Sequence, residues 1–396
     1  MDKKNKNPNV PNLRFNGYTE NWQKYRTIEL GQMQRGKSKH RPRDDEKLYG
    51  GAYPFIQTGD IKKANLYIKE YERTYSNYGL SQSKLWSKGT LCITIAANIA
   101  ETAILGLNAC FPDSVIGWIS NEKITNNIFI KYYFDFYKTQ LKRLSVGGAQ
   151  ENLNLDKLEN VYFHIPTLPE QNDITNLLTK IDELIETQIK IINDYKMLKK
   201  SIVERIISTT DISWNKYSFK DIFRERKEFH VKDGTIIHAT LSKEGIYPKT
   251  DRYDRDFLVK DEDKKYKVSY LNDICYNPAN LKFGVITRND YGKCIVSPIY
   301  VTYMVNPGFN PKFIELFVTR TAFLKEIRRY EQGTVYERMA VSSDDFLTFE
   351  TKLPNVEVQN DIVDNIDMLD KKITQEQEYL ELLDKQKDYL LSNMFI

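Results

Sequence analysis

Histidine and cysteine are scarce. The 396 residues hold four of each, and neither type falls into ligand spacing. His40, His164, His230 and His238 stand far apart, and Cys92, Cys110, Cys275 and Cys294 form no CxxC pair. A metal centre is therefore not expected, and the cysteines read as buried free thiols in apolar, strand-like surroundings, not as metal ligands or disulfides. Long apolar runs are missing too. The most apolar stretch, LCITIAANIAETAILGL, is interrupted by Asn98 and Glu101, and the start MDKKNKNPNVPNLRFNG lacks the apolar core of a signal peptide. The expectation is a cytoplasmic protein with no membrane segment. Nor does one sign of charge dominate: 58 Lys and Arg face 54 Asp and Glu, a net charge of +4 that permits nucleic-acid binding without demanding it.

What is present is a repeat. QNDI stands at Gln171–Ile174 and again at Gln359–Ile362, an offset of 188 residues in a chain of 396. The same offset carries Pro166 onto Pro354, Ile181 onto Leu369 and Asp182 onto Asp370. Upstream, NWQKYRTIE at Asn21–Glu29 answers SWNKYSFKD at Ser213–Asp221, pairing Trp22 with Trp214 and Tyr25 with Tyr217 at an offset of 192. The cysteines follow, Cys92 answering Cys275 and Cys110 answering Cys294. Two collinear matches make the chain an internal duplication. An apolar content of 41% with 26 tyrosines suits a folded protein of two or three domains.

Each unit ends in a heptad seam. Alternate steps of four and three give Ile174, Leu178, Ile181, Ile185, Gln188, Ile192, Tyr195, Lys199, Ile202 and Ile206. Adding 188 gives Ile362, Ile366, Leu369, Ile373, Glu376, Leu380, Leu383, Lys387, Leu390 and Met394, so the polar interruptions recur as well. Two long helices packing on each other antiparallel are expected; the alternative is that each lies on its own body. If the polar breaks answer each other, Lys199 should face Glu376 and Gln188 should face Lys387; otherwise all four point to solvent.

The two bodies mix short apolar runs with turn signals, which reads as strands. Helical stretches are expected at NIFIKYYFDFYKTQLKRL and PKFIELFVTRTAFLKEIRRY. The fold class is thus α+β: two similar strand-rich bodies, residues 1–165 and 210–352, with long helices at 166–209 and 353–396. Basic and aromatic residues interleave in QRGKSKHRPRD, YKTQLKRLSVGGAQENL, PKTDRYDRD and RRYEQGTVYERM. Such segments suit phosphate contacts from Lys and Arg and base-edge contacts from Gln, Asn and Arg, or else are solvated faces.

Three motifs suggest catalysis and lack its context. GQMQRGKS, Gly31–Ser38, fits the Walker A pattern, but the polar SKHRPRDDEK follows where a helix should open. YNPANL is similar to the Asn-Pro-Pro-aromatic motif of adenine methyltransferases, yet Ala279 and Asn280 replace the second proline and the aromatic. PDSVIGWISNEK offers Asp113 and Glu122 without the spacing of a nuclease metal site. No catalytic or metal-ligating residue is assigned.

With YPFIQTGDI, YNPANLKFGVI, GKCIVSPIYV and the LPEQNDI start of a long helix, nearly the whole chain resembles the specificity subunit of type I restriction-modification enzymes. The second helix departs modestly, reading VEVQ for PEQ. The resemblance implies two target recognition domains, each reading one half of a split double-stranded DNA sequence. It implies two methyltransferase subunits docked on the helices, motor-nuclease subunits joined through them, and the methyl donor and ATP bound by those partners, not by this chain. A single-chain DNA methyltransferase or nuclease and a protein-binding scaffold are the competing readings. Expected DNA contacts are Lys37, Lys39, Arg41, Gln57, Lys62, Arg143, Gln150 and Asn152 in the first body. Those in the second are Arg252, Arg255, Asn280, Lys282, Arg329, Tyr336 and Arg338.

Overall fold

The computed structural model describes residues 9–145, 153–208, 214–249, 265–332 and 340–396. The chain forms two compact units, Met1–Ile191 with Glu376–Ile396, and Ile192–Gln375.

In the first unit the apolar runs become a five-stranded sheet. Its order is Gly31–Arg35, Val115–Ser120, Leu91–Thr94, Thr102–Leu105 and Tyr67–Ile68, antiparallel except for the last pair. Leu91–Thr94 and Thr102–Leu105 are buried at every position, which is why they read as short continuous apolar runs and not as alternating strands. The helix Asn127–Ser145 packs on this sheet, and Phe129, Tyr133 and Phe134 from its inner face are fully buried.

The second unit repeats the plan. Phe223–Glu225, Val301–Val305, Ile274–Tyr276 and Ile286–Arg288 form an antiparallel sheet in the same order as the first four strands of the first unit. Cys92 and Cys275 occupy equivalent inner strands, and all four thiols are free and buried. A second sheet joins Phe229–Val231, Lys265–Ser269 and Cys294–Val296. The expected second helix is broken: Pro311–Val318 is followed by Thr321–Glu326, with a turn at Thr319 and Arg320.

Each body is closed at its base by a strand pair. Gln23–Arg26 runs antiparallel to Tyr162–Ile165, and Asn215–Ser218 to Glu350–Leu353. Gln23 stands opposite Ile165 and Asn215 opposite Leu353, so the offsets of 192 and 188 residues converge on one register. The repeated Trp-Lys-Tyr strings are the first strands of these pairs.

The repeated QNDI fixes the start of each long helix, Leu168–Ser208 and Val356–Met394. Gln171 and Gln359 are both fully buried. The amide of Gln171 donates to Pro166 O at 2.9 Å, and that of Gln359 to Pro354 O at 2.8 Å. Each amide oxygen then accepts from the segment that opens the body's packing helix. Gln171 takes the Thr125 hydroxyl at 2.8 Å, and Gln359 takes the Asn310 N–H at 2.9 Å. The neighbouring asparagines repeat the pattern: Asn126 donates to Asn172 at 3.2 Å and Asn310 to Asn360 at 2.7 Å. A buried amide must satisfy both ends, and only Gln at this position reaches both partners, so the repeated letters are a structural joint.

Both expected roles of the helices are realised. In the first unit the segment Ile174–Ile185 packs on the body's core, which also contains Leu383, Leu390 and Met394 of the second long helix. In the second unit Val203 and Ile207 share a core with Ile362 and Ile366. None of the twenty seam residues is exposed; Tyr195, Ile202, Leu369 and Leu380 are half-buried and Ile192, Ile373 and Leu383 buried.

The expected pairing of the polar breaks is wrong. Within the first unit Gln188 donates to the Glu376 carboxylate and, at 3.0 Å, to the Glu376 carbonyl, while Lys387 pairs with Asp182 at 2.6 Å. Within the second, Lys199 pairs with Asp370 at 2.5 Å. Asp182 and Asp370 are repeat equivalents, as are Lys199 and Lys387, so one ion pair is made twice. The carboxylates come from positions flanking the seam, because a long lysine stem reaches sideways to an acid beside the apolar stripe.

Candidate nucleic-acid interface

The first unit carries a basic segment between Gly36 and Leu48. It begins where Gly31–Arg35 ends as a strand, so the Walker-like string lies in a sheet and offers no phosphate-wrapping loop before a helix. Gly36 is required there, since a Cβ would sit 2.3 Å from Pro112 O and 2.4 Å from Phe111 O. Its N–H donates to Val115 O at 2.8 Å, after which the chain leaves the sheet.

Neighbouring groups pin the segment. The Lys39 N–H donates to Gln82 O at 3.1 Å, and the Ser83 hydroxyl to Lys37 O at 2.8 Å. His40 bridges Asp45 at 2.8 Å and the Tyr78 hydroxyl at 3.1 Å. The Lys47 backbone N–H and then His40 hold the Asp45 carboxyl below its usual range. Arg43 grips Asp113 through both carboxylate oxygens, at 2.8 and 2.9 Å, and Arg41 lies 3.8 Å from the same group. Lys37 and Lys39 are exposed and make no ion pair among the described residues.

The structure thus gathers Lys37, Lys39 and Arg41 on one segment. Gln57 and Lys62 lie on a different element, before and within the short helix Thr58–Lys63, whose capping Asp60 accepts from the Gln57 N–H at 2.8 Å. Arg143 is exposed near the end of Asn127–Ser145. In the second unit Asn280 and Lys282 sit on the 3-10 turn Pro278–Phe283, with Lys282 4.0 Å from Glu331 and 5.4 Å from the ring centre of the exposed Phe283. Arg329 is exposed on the turn Ile327–Tyr330. Gln150, Asn152, Arg252, Arg255, Tyr336 and Arg338 lie outside the described residues.

Sequence reasoning passed over Arg43, Gln34 and Lys84. The Lys84 ammonium stands 3.7 Å from the ring centre of Trp86 and donates to Gln34 Oε1 at 2.8 Å. Partial burial, then the charge of Lys37, hold it below the ordinary lysine range. The only sequence signal was a lysine two residues before a tryptophan.

Other polar features have structural explanations. Tyr276 of YNPANL is core, stacked on Phe346 with ring centres 4.8 Å apart, and the Asn277 side chain caps the following turn by accepting from the Ala279 N–H at 3.1 Å. Burial pushes the thiols of Cys92 and Cys275 up, Cys275 to about 12, which keeps them unreactive. Among the described residues no cluster of three or more His, Cys, Asp or Glu is arranged to hold a metal, and no helix is long and apolar enough to cross a membrane. An open pocket of about 360 Å³ lies where the helices starting at Asn127 and Leu168 meet, lined by Glu122, Thr125, Asn126 and Asn172.

Comparison with known proteins places this architecture. Residues 19–194 match the type I restriction modification DNA specificity domain. The candidate MjaX type I restriction enzyme specificity subunit of Methanocaldococcus jannaschii is 26% identical over 192 residues. That match takes in 48% of this chain and 43% of the relative, so it spans less than half of the relative's length. The crystal structure of a type I restriction-modification S subunit from M. genitalium superposes with a TM-score of 0.53 at 14% identity, over 98% of this chain and 99% of that one. A chain from a structure on complex assembly and conformational transition of the type I R-M system gives 0.58 at 12% identity, over 93% and 96%. The fold of these specificity subunits is shared along the length of the chain, and its first half matches the type I restriction modification DNA specificity domain.

Proposed function

We propose that the chain is the non-catalytic DNA-recognition subunit of a type I restriction-modification enzyme. Each unit reads one half of a bipartite target, and the paired helices dock two methyltransferase subunits, through which motor-nuclease subunits join. The methyl donor and ATP belong to those partners. One observation carries the reading: a single scaffold, with one strand order and one base clasp, is built twice while the segments it displays differ. The segments displayed by the two units then need not read the same bases. Phosphate contacts from the lysines and arginines position the subunit, and side chains on the displayed segments reach base edges.

The test exchanges residues 1–165 for the corresponding body of another specificity subunit, co-expresses the chimera with its methyltransferase partner, and maps methylated adenines genome-wide. One half of the methylated sequence should change. A change in both halves, or in neither, would overturn modular readout, and methylation by the purified chain alone would overturn its non-catalytic role.

A further inference from the structure

The Walker-like string is left without a nucleotide to bind, yet its Gly-Lys-Ser end is held with care. Gly36 lets the backbone pass against Pro112 and Phe111, and the Ser83 hydroxyl then anchors the Lys37 carbonyl at 2.8 Å. Nearby, Gly117 performs a matching service. A Cβ on it would lie 2.6 Å from the Trp86 ring, so its bare backbone lets that ring lie across the strand Val115–Ser120. Trp86 also stacks on Phe111, ring centres 4.8 Å apart and planes at 20°. The ring is a fixed platform on which Lys84 rests, and Gln34, opposite Gly117 on the adjacent strand, fixes the ammonium through its amide oxygen.

The bond from the Ser83 hydroxyl to the Lys37 carbonyl sets Lys37 beside Lys84, and the Lys84 ammonium, fixed by Gln34 and Trp86, lies within reach of the Lys37 charge. Neither makes an ion pair among the described residues, while on the same segment Arg43 pairs with Asp113 and His40 with Asp45. Like charges held together without an acid repel, and an anion placed between them reverses the sign of that interaction. The ring supplies cation–π attraction but no hydrogen-bond acceptor, so the Lys84 donors not used by Gln34 stay available.

We propose that Lys37 and Lys84 together hold one phosphodiester oxyanion of the DNA backbone. The inference rests on the DNA-recognition reading and assigns to this site a positioning contact, which carries no base preference. Lys84 is preorganised by Trp86 and Gln34, and Lys37 is delivered by the segment that the glycine turns out of the sheet.

The experiment measures anisotropy of a fluorescein-labelled mixed-sequence duplex with the full chain across a potassium chloride series. Wild type should show a linear fall of log affinity with log salt. Lys84→Gln should reduce the slope by about 0.9, the value for one phosphate contact. Lys84→Arg should keep it, and Lys63→Gln, which removes an exposed lysine already paired with Glu72, should leave it unchanged. The double variant Lys37→Gln/Lys84→Gln should lose no more than about 0.9, because one phosphate is shared. Circular dichroism melts of each variant establish that the fold is kept. An unchanged slope in Lys84→Gln while wild type binds overturns the site, and a loss of about 1.8 in the double variant overturns the sharing. Absence of duplex binding by wild type overturns the DNA-recognition reading itself. Calorimetric titration with inorganic phosphate alone should give no saturable binding; saturable binding lost in Lys84→Gln would assign the site to free phosphate and overturn the backbone contact.

Discussion

Lys387 sets its ammonium 2.6 Å from a carboxylate oxygen of Asp182, which is 2% exposed and takes the Tyr132 hydroxyl on its other oxygen at 2.7 Å. Removing the lysine would leave a buried acid with one neutral donor. Lys387→Met is expected to destabilise the first unit by about 3 kcal/mol, and the double variant Asp182→Asn/Lys387→Met to recover most of that loss. Urea unfolding of the single and double variants checks it. The repeat-equivalent Lys199→Met should cost less, since Asp370 is a third exposed and also receives Lys312 at 3.1 Å.

Gln171→Leu keeps volume and apolar burial but orphans the Thr125 hydroxyl and the carbonyls of Ile124 and Pro166, which its amide now satisfies at 2.8–2.9 Å. A loss of about 2 kcal/mol is expected, read as a lower midpoint in thermal unfolding. Gln359→Leu orphans two partners instead of three and should cost less.

Gly36→Ala places a methyl group 2.3–2.4 Å from two backbone oxygens, which no side-chain rotation relieves. The expected cost is about 1 to 3 kcal/mol, with the Lys37–Arg41 segment displaced. Hydrogen exchange at Gly36 and Lys39, whose N–H groups bond to Val115 and Gln82, should accelerate; unchanged protection would contradict the close approach.

Lys312 gives the second unit an alkaline limit. Burial disfavours its charge, but hydrogen bonds and charges of Asp367 and Asp370 outweigh that and raise its pKa above the ordinary lysine value. A raised folded pKa stabilises fully at pH below the unfolded value of about 10.4, and the contribution is lost as pH rises through the folded one. The difference in melting temperature between wild type and Lys312→Met should therefore be constant near neutrality and shrink at strongly alkaline pH. A difference that grows with pH would refute the assignment.

The duplication, the two long helices and the strand-rich bodies were legible because each leaves a periodic mark: an offset, a heptad, a run of buried apolar residues. Register between the helices was not. The seam contained only Gln188, Lys199, Glu376 and Lys387 as polar residues, so matching these to each other was the economical choice. The acids that answer the lysines, Asp182 and Asp370, sit one residue past seam positions Ile181 and Leu369, where spacing alone reads them as solvated. Lys84 was hidden for a related reason. Its environment is made by Trp86, Gln34 and Lys37, and the strand pairing that brings Gln34 alongside is not local in sequence.

The core of the first unit is finished by the last residues of the chain. Phe395 lies between Trp22 and Phe129, with ring centres 6.4 and 5.3 Å away, and the Tyr133 hydroxyl donates to the carbonyl of Ile396. During synthesis these residues emerge only after the whole of Ile192–Gln375 has been translated, a wait of roughly 10 to 40 seconds at ordinary elongation rates. Through that interval the nascent first unit leaves uncovered the aromatic face of Trp22, Phe129, Tyr133 and Phe136 that Phe395 later covers, although it is the first part made. Its assembly therefore runs against the direction of translation, and a ribosome that stalls within the second unit leaves behind a first unit that is translated in full up to Ile191 and still unsealed.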